Sequence, residues 1–293
     1  MSTPGVLARG ASLADFVELT KPRITTLVVL TSLVGFVMGS SGPAPAVPLL
    51  WALVGTGLVA AGASALNMVL ERDTDARMHR TRTRPLASGR MRAPEAVAFG
   101  LGLTAIGLAV LFSLSGALPA TVAFVTWFTY LFCYTPLKRR TSLSTLVGAV
   151  PGALPPVIGW AAARGAIDGG AFVLFAILYL WQVPHFLAIA WIYREDYARG
   201  GLPMLPVVDT AGRLTGRQAV AHAFALLLVS LLPTGVGMAG RIYLGGALLL
   251  GAALLGFSLR LALLRTVPAA RGLFLASVVY LTALCALLVA DRL

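Results

Sequence analysis

The sequence predicts an all-α polytopic membrane protein, with about nine transmembrane helices around a central cavity open to the cytoplasmic side. Three observations lead there. Hydrophobic residues make up 58% of the chain and charged residues only 12%, with a strongly positive mean hydropathy, a balance that does not suit a soluble domain of this length. The apolar residues gather into nine stretches, each roughly long enough to cross about 30 Å of hydrocarbon as a helix. Lys and Arg fall almost entirely on alternate connections between those stretches.

The stretches run over residues 24–38, 48–70, 96–114, 119–133, 143–163, 171–193, 219–238, 242–264 and 273–290. The first follows a segment bearing Asp15, Glu18, Lys21 and Arg23 with no small-residue cleavage site behind it, so it reads as a retained span and not a removed signal peptide. The second ends in the run LNMVLERDTDARMHRTRTRPLASGR, the densest charge in the chain. The first and fourth are short and are expected to extend at their ends. The fifth contains Pro151, Pro155 and Pro156 and the sixth contains Pro184, which should bend those helices around a cavity. Elsewhere the 31 Gly and 17 Pro are compatible with helices in lipid, where small residues let helices approach and neighbours satisfy the backbone groups that Pro frees. No polar linker or fixed repeat divides the chain, which gives one domain over residues 1–293, with a cytoplasmic tail over 1–23 and cytoplasmic active-site loops over 71–95 and 194–217. Spans two and six both end in an acidic-basic cluster followed by Gly and Pro, a faint internal echo.

A net charge of +12 raises the question of nucleic acid, and the position of the charge answers it. With the amino terminus inside, 20 of the 23 Lys and Arg lie on the cytoplasmic side; only Arg164, Arg241 and Arg292 lie opposite. That is the positive-inside pattern of an integral protein of a bacterial cytoplasmic (inner) membrane, so the basicity reports topology and the partner is the lipid bilayer, not nucleic acid. Two cysteines, Cys133 and Cys285, each inside an apolar stretch, are too few for a disulfide framework or a thiolate metal site.

The chemistry is expected at the cytoplasmic mouths. Asn67, Glu71 and Asp75 are four residues apart, so on a continuing helix each step drifts only about 40° and rises about 6 Å, giving one polar stripe. Two carboxylates and an amide oxygen suit Mg²⁺, which keeps waters and shares its shell with substrate phosphates. The competing reading is a solvated helix end whose acids pair with Arg72, Arg77 and Arg80. A second cluster, Arg194-Glu195-Asp196-x-x-Arg199, closes the sixth span. Two acidic patches set among arginines could hold a diphosphate between them through Mg²⁺ and direct Arg contacts.

The stretch from Tyr134 to Thr141 adds Lys138, Arg139 and Arg140 at a third mouth. In a chain with 21 Arg and two Lys, Lys138 could balance charge on a departing diphosphate, with Tyr134 one turn away; a positive-inside anchor is the alternative. His185, inside an apolar helix after Pro184, is either a hydrogen-bonded core residue or a ligand. Trp181, Phe186 and Tyr179 could line a pocket or simply pack between helices.

The pattern Asn67-x-x-x-Glu71-x-x-x-Asp75 followed by Arg80-Thr81-x-x-Arg84-Pro85-Leu86 resembles the first motif of the intramembrane, UbiA-type prenyltransferases, which have nine helices and two acidic Mg²⁺-diphosphate motifs. Leu19-Thr20-Lys21-Pro22-Arg23, Tyr134-Thr135-x-x-Lys138-Arg139-Arg140-Thr141, and Trp181-Gln182-x-Pro184-His185-Phe186 leading into Arg194-Glu195-Asp196-Tyr197-x-Arg199-Gly200-Gly201 resemble one family within them, the protohaem IX farnesyltransferases or haem O synthases. The resemblance extends from about residue 15 to the last span. It implies transfer of the farnesyl group of farnesyl diphosphate to a vinyl group of haem B with addition of water, and a haem A synthase as a candidate partner for the product.

Carried over by position, the resemblance makes Asn67, Glu71 and Asp75 the Mg²⁺ ligands of the first site and Asp196 that of the second; Lys138, read from its own position, is expected beside them as a catalytic cation. Arg80, Arg84, Tyr134, Arg139, Arg194, Glu195 and Arg199 would contact the substrates, and His185 would contact haem. The residue four before Asp196 is Ile192, where many UbiA-type members carry an aspartate, so Glu195 is expected to substitute or the second site to be lighter in charge. A related prenyltransferase acting on an aromatic or quinone precursor, or a transporter, are the alternative functions.

Overall fold

The computed structural model describes residues 11–293, so the first ten residues of the expected 1–23 tail lie outside the description. Nine helices among the described residues are long and apolar enough to cross a membrane: Pro22–Gly39, Ala46–Leu70, Ala93–Leu114, Ala117–Leu137, Ser144–Arg164, Gly169–Ile192, Arg213–Gly235, Arg241–Leu264 and Val267–Ala290. In chain order they are the first to ninth spans. Each coincides with an expected stretch, and several are longer. The first and fourth extend at both ends, and the seventh and ninth begin six residues earlier than their apolar runs. Those added turns carry Arg213, Arg217 and Arg271, whose long side chains let a helix continue while the charged head reaches the interface.

The spans form a ring. The second and third make the most extensive contact, the first crosses the second half of the fifth, and the sixth packs on the fifth, seventh and ninth. The ninth returns to the first and closes the ring. Side chains pointing outward are apolar, Ile242, Leu249 and Leu263 each being more than 70% exposed, which is the surface a bilayer and not water would cover. The buried side carries small and polar residues, including Ser32, Thr56, Ser64 and Asn67.

The crossing of the first and fifth spans is set by two glycines facing each other's backbone. A Cβ on Gly35 would lie 1.9 Å from the Pro156 carbonyl oxygen, and one on Gly159 would lie 1.9 Å from the Ser32 carbonyl oxygen. Without a large apolar driving force between helices in lipid, such close approach supplies much of the packing energy. Gly159→Ala is therefore expected to push the two spans apart and to cost about 1–3 kcal/mol, read as a lowered thermal midpoint of the purified protein in detergent. An unchanged midpoint would show that the crossing yields freely.

Two irregular helices shape the interior. The fourth span widens into a π-helix over Thr129–Tyr134, just before Pro136, which cannot donate a backbone N–H. The Tyr130 carbonyl accepts from both the Thr135 amide and, at 2.8 Å, the Thr135 hydroxyl. The fifth span is broken at Leu154 between Ser144–Ala153 and Pro155–Arg164, as its prolines predict. The sixth span keeps Pro184 within one helix.

Both charged connections start alike. The second span stops at Glu71 and a short turn, Arg72–Asp75, comes next; the sixth stops at Tyr193 and Arg194–Arg199 comes next. Glu71 and Tyr193 have similar bridge-region dihedrals (φ −96°, ψ 1° and φ −108°, ψ 24°). The helix does not run on smoothly past Glu71, yet the Asp75 amide still donates to the Glu71 carbonyl at 2.8 Å. The four-residue stripe survives the break.

Candidate active site

A cavity of about 430 Å³ opens among the first, second, fourth, fifth and sixth spans and is touched by the ninth through Leu281. Its polar end is built by Asn67, Glu71 and Asp75, with Lys21, Arg80, Arg84, Tyr134 and Lys138 around them; its deeper wall includes Trp127, Tyr130, Ile158, Trp181, Gln182, His185 and Phe186. The expected stripe is therefore one wall of one chamber.

Each polar group of the stripe meets a cation. Lys21 Nζ donates to Asn67 Oδ1 at 2.7 Å, and Asn67 Nδ2 donates to Thr135 Oγ1 at 3.0 Å. Lys138 Nζ donates to Glu71 Oε1 at 2.7 Å, while its ammonium also lies 5.3 Å from the centre of the Tyr134 ring. Arg84 Nη1 donates to Asp75 Oδ2 at 2.7 Å. Asp75 Oδ1 is buried with no hydrogen-bond partner among the described residues. Such an atom is costly unless a ligand completes it.

The charges are strongly coupled. Burial alone would raise the Glu71 carboxyl, but Lys138, Lys21 and Arg84 hold it below its usual value. Burial works against the charge on Lys138, and the Glu71 carboxylate more than reverses that, keeping the ammonium protonated. Lys21 is the least compensated: burial and the nearby Arg84 pull it down to about 8 despite the attraction of Glu71. An anion entering here would relieve an excess of buried positive charge.

The same geometry bears on Mg²⁺. Among the described residues no three His, Cys, Asp or Glu side chains converge into a cage. Hard oxygens on Asn67, Glu71 and Asp75, one of them unpartnered, fit an ion that completes its shell with water and phosphate oxygens. The residues fit Mg²⁺ shared with a substrate.

The second cluster departs from expectation. Asp196 is buried but is not part of the cavity wall. Its Oδ1 accepts from the His79 amide at 2.7 Å and from Arg199 Nη2 at 2.8 Å, and its Oδ2 accepts from the Arg80 amide at 3.0 Å. It joins the loop after the second span to the turn after the sixth, with three donors where a metal was expected. Glu195 and Arg199 are exposed, and Arg194 lies over Trp191 with 5.0 Å to the ring centre; none of these three lines the cavity. Arg139 is also outside it and donates to the Leu70 carbonyl at 2.9 Å, capping the end of the second span. Spacing revealed the clustering of these residues, but not the direction their side chains take.

Through this junction Tyr197 does reach the cavity. Its hydroxyl accepts from Arg80 Nη2 at 3.2 Å, and the Arg80 guanidinium sits over both the Tyr193 and Tyr197 rings, 5.0 and 5.6 Å from their centres. Of the aromatic candidates, Trp181 and Phe186 line the cavity and Tyr179 does not; it stacks on Phe175 instead. His185 lines it too, with Nδ1 2.8 Å from Ser277 Oγ. Lys21, Tyr130, Thr135, Gln182 and Tyr197 were not singled out as site residues from sequence. For Lys21 a signal existed: it is the other of only two lysines.

Comparison with known proteins agrees with this architecture. The model of the UbiA prenyltransferase family matches residues 28–288. The chain is 49% identical over 287 residues to a protein of Solibacter usitatus named protoheme IX farnesyltransferase, covering 95% of this chain and 98% of that one. It is 45% identical to one of the same name from Koribacter versatilis, covering 99% and 96%. Among solved structures, a digeranylgeranylglyceryl phosphate synthase superposes with a TM-score of 0.80 at 15% identity, covering 95% and 98% of the two chains. A UbiA homologue from Archaeoglobus fulgidus bound to GPP and Mg²⁺ gives 0.66 at 14% identity, covering 94% and 99%. These two show a shared fold.

Proposed function

The chain belongs to the UbiA prenyltransferase family, and we propose that it joins the farnesyl group of farnesyl diphosphate to a vinyl group of protohaem IX with addition of water, giving haem O and diphosphate. The observation that carries the reading is the meeting of Asn67, Glu71 and Asp75 with Lys21, Lys138 and Arg84 at one end of a deep, largely apolar chamber. The close relatives named protoheme IX farnesyltransferase support the choice of substrates.

The polar end would take the diphosphate. Asn67, Glu71 and Asp75 would hold Mg²⁺, which when bound supplies Lewis-acid neutralisation of phosphate charge. Lys138, Lys21 and Arg84 would turn from the carboxylates and the amide to the phosphate oxygens, stabilising negative charge as it develops on the leaving group. Tyr134 and Tyr130, stacked with ring centres 5.8 Å apart, would border the reactive allylic carbon. The apolar wall would keep bulk water from the allylic carbon as diphosphate leaves, while the prenyl chain lies along it. Trp181, His185 and Phe186 would meet the porphyrin. Asp196 would act through the loop it holds, placing Arg80 and Arg84. Arg139 would fix the second span's end, and Arg194, Glu195 and Arg199 would support the junction.

The orientation we propose puts the polar end on the cytoplasmic side, because 20 of the 23 Lys and Arg belong there under the positive-inside rule. A haem A synthase is the class of partner that would take the product. The test is direct: membranes containing the protein, supplied with protohaem, farnesyl diphosphate and Mg²⁺, are expected to accumulate haem O, read by mass. Product formed only with a hydroxybenzoate acceptor would move the assignment to a quinone-precursor prenyltransferase.

A further inference from the structure

One step of the proposed reaction has no residue assigned to it: the water that ends up as the hydroxyl of haem O. We propose that Gln182 and His185 hold and deprotonate that water, an inference that rests on the haem farnesylation reading.

Gln182 is buried, and its Nε2 donates to the carbonyls of Ala149 and Leu178, both at 3.1 Å. Both amide hydrogens are thereby used, and the reverse orientation would set Oε1 against two carbonyl oxygens. The amide is fixed with Oε1 as a lone acceptor. Gly152 makes room for it, since a Cβ there would lie 1.9 Å from Oε1.

His185 is fixed as firmly. The single hydroxyl hydrogen of Ser277 goes to the Phe274 carbonyl at 2.6 Å, so the 2.8 Å contact between Ser277 Oγ and His185 Nδ1 requires the proton on Nδ1. Nε2 then carries a lone pair. The ring is stacked on Trp181, with centres 4.7 Å apart, and Trp181 is itself pinned by donating to the Ser277 carbonyl at 2.7 Å.

Gln182 and His185 thus present two acceptors from one helix, three residues apart, a spacing that puts their Cβ atoms about 5–6 Å from each other. Both residues line the cavity, and neither Gln182 Oε1 nor His185 Nε2 has a hydrogen-bond partner among the described residues. Two unpartnered acceptors lining one cavity call for a ligand with two donors, and water is the smallest. Held this way, its hydrogens point at the wall and its oxygen lone pairs at the chamber.

Atoms and charge balance in this step. The terminal vinyl carbon bonds to farnesyl C1 as the C1–O bond to diphosphate breaks, leaving a cation on the inner vinyl carbon. The water oxygen bonds to that carbon and one of its protons passes to His185 Nε2, from which it returns to solvent or to diphosphate. Gln182 keeps the second hydrogen. His185 therefore faces the vinyl edge of the porphyrin and not its iron. Without the pair, loss of an adjacent proton is expected to dominate, giving an alkene one water lighter.

The experiment uses the full-length protein in lipid nanodiscs with farnesyl diphosphate, protohaem and Mg²⁺ in isotopically labelled water, comparing wild type with Gln182→Met and His185→Phe. The ratio of hydroxylated to one-water-lighter farnesyl haem is read by mass. Only completed turnovers count, so a partly folded population does not bias it. Wild type is expected to give labelled haem O, and each variant to lower the ratio by at least ~10²-fold, the lower range of general acid–base contributions. Variants whose residual product is fully hydroxylated overturn the proposal. So does loss of all farnesylated haem together with haem binding, which would make His185 an iron ligand or both residues packing groups. A wild-type protein that farnesylates no haem overturns the underlying reading before this one.

Discussion

Replacing both Glu71 and Asp75 with alanine is expected to abolish haem O formation, lowering turnover at least ~10³-fold, while the protein still inserts in the membrane. The magnitude comes from the electrostatics: loss of one preorganised group facing developing charge costs about 10²–10³ in rate, and here two carboxylates of the proposed metal site go together. The isosteric pair Glu71→Gln and Asp75→Asn separates catalysis from stability. Removing one partner of a buried ion pair leaves the other uncompensated at a cost of about 3–5 kcal/mol, and Lys138 and Arg84 would be left in that state. Farnesyl diphosphate itself would compensate them. Substrate binding is therefore expected to persist in the isosteric variant through Lys21, Lys138 and Arg84, with the loss confined to turnover. Full activity in either double variant would end the metal reading. Lost binding with turnover per bound substrate intact would make the acids part of the binding site alone.

How much of this could be read without coordinates depends on what fixes each feature. The nine spans were legible because lipid leaves a backbone no alternative to helix over an apolar stretch of that length. Their ends were less so: hydropathy undercounts turns bearing Arg213, Arg217 or Arg271, whose charged heads reach the interface. The first acidic stripe was legible because helical spacing alone places Asn67, Glu71 and Asp75 on one face, and the break at Glu71 does not change that.

Lys21 was not legible as a site residue. It caps the first span in a left-handed conformation, φ 47°, and reaches back to Asn67, 46 positions away; nothing local in the sequence announces such a reversal. The second cluster misled for the opposite reason. Its charges do sit at a helix mouth beside the first loop, but a carboxylate among arginines can face a ligand or a backbone, and composition cannot tell which. The deciding partners of Asp196 are two amides 116 and 117 positions away, which have no sequence signature at all.

That placement makes Asp196 the sharper test of the site. Burial alone would raise its carboxyl, but Arg199 and the amides of Arg80 and His79 hold it below its ordinary value. A depressed carboxyl contributes stability above its unfolded pKa and loses it as pH falls through the folded value, so the junction should withstand mild acid. Asp196→Ala removes the acceptor for both amides, which costs about 1–3 kcal/mol for each one left unsatisfied, and frees the loop bearing Arg80, Thr81 and Arg84. A shift of about 1 Å in positioning groups can cost ~10² in rate, and a loss of that order in kcat/KM is expected with a lowered thermal midpoint. Arg199→Ala distinguishes this role from direct metal ligation. If Asp196 anchors the loop, losing one of its three donors weakens the anchor: activity falls less than in Asp196→Ala, and the Mg²⁺ concentration for half-maximal activity stays put or rises. If Asp196 binds metal, removing the competing guanidinium frees a ligand oxygen and that concentration falls. A tighter Mg²⁺ requirement in Arg199→Ala would therefore return Asp196 to the metal site and overturn the loop-anchoring role.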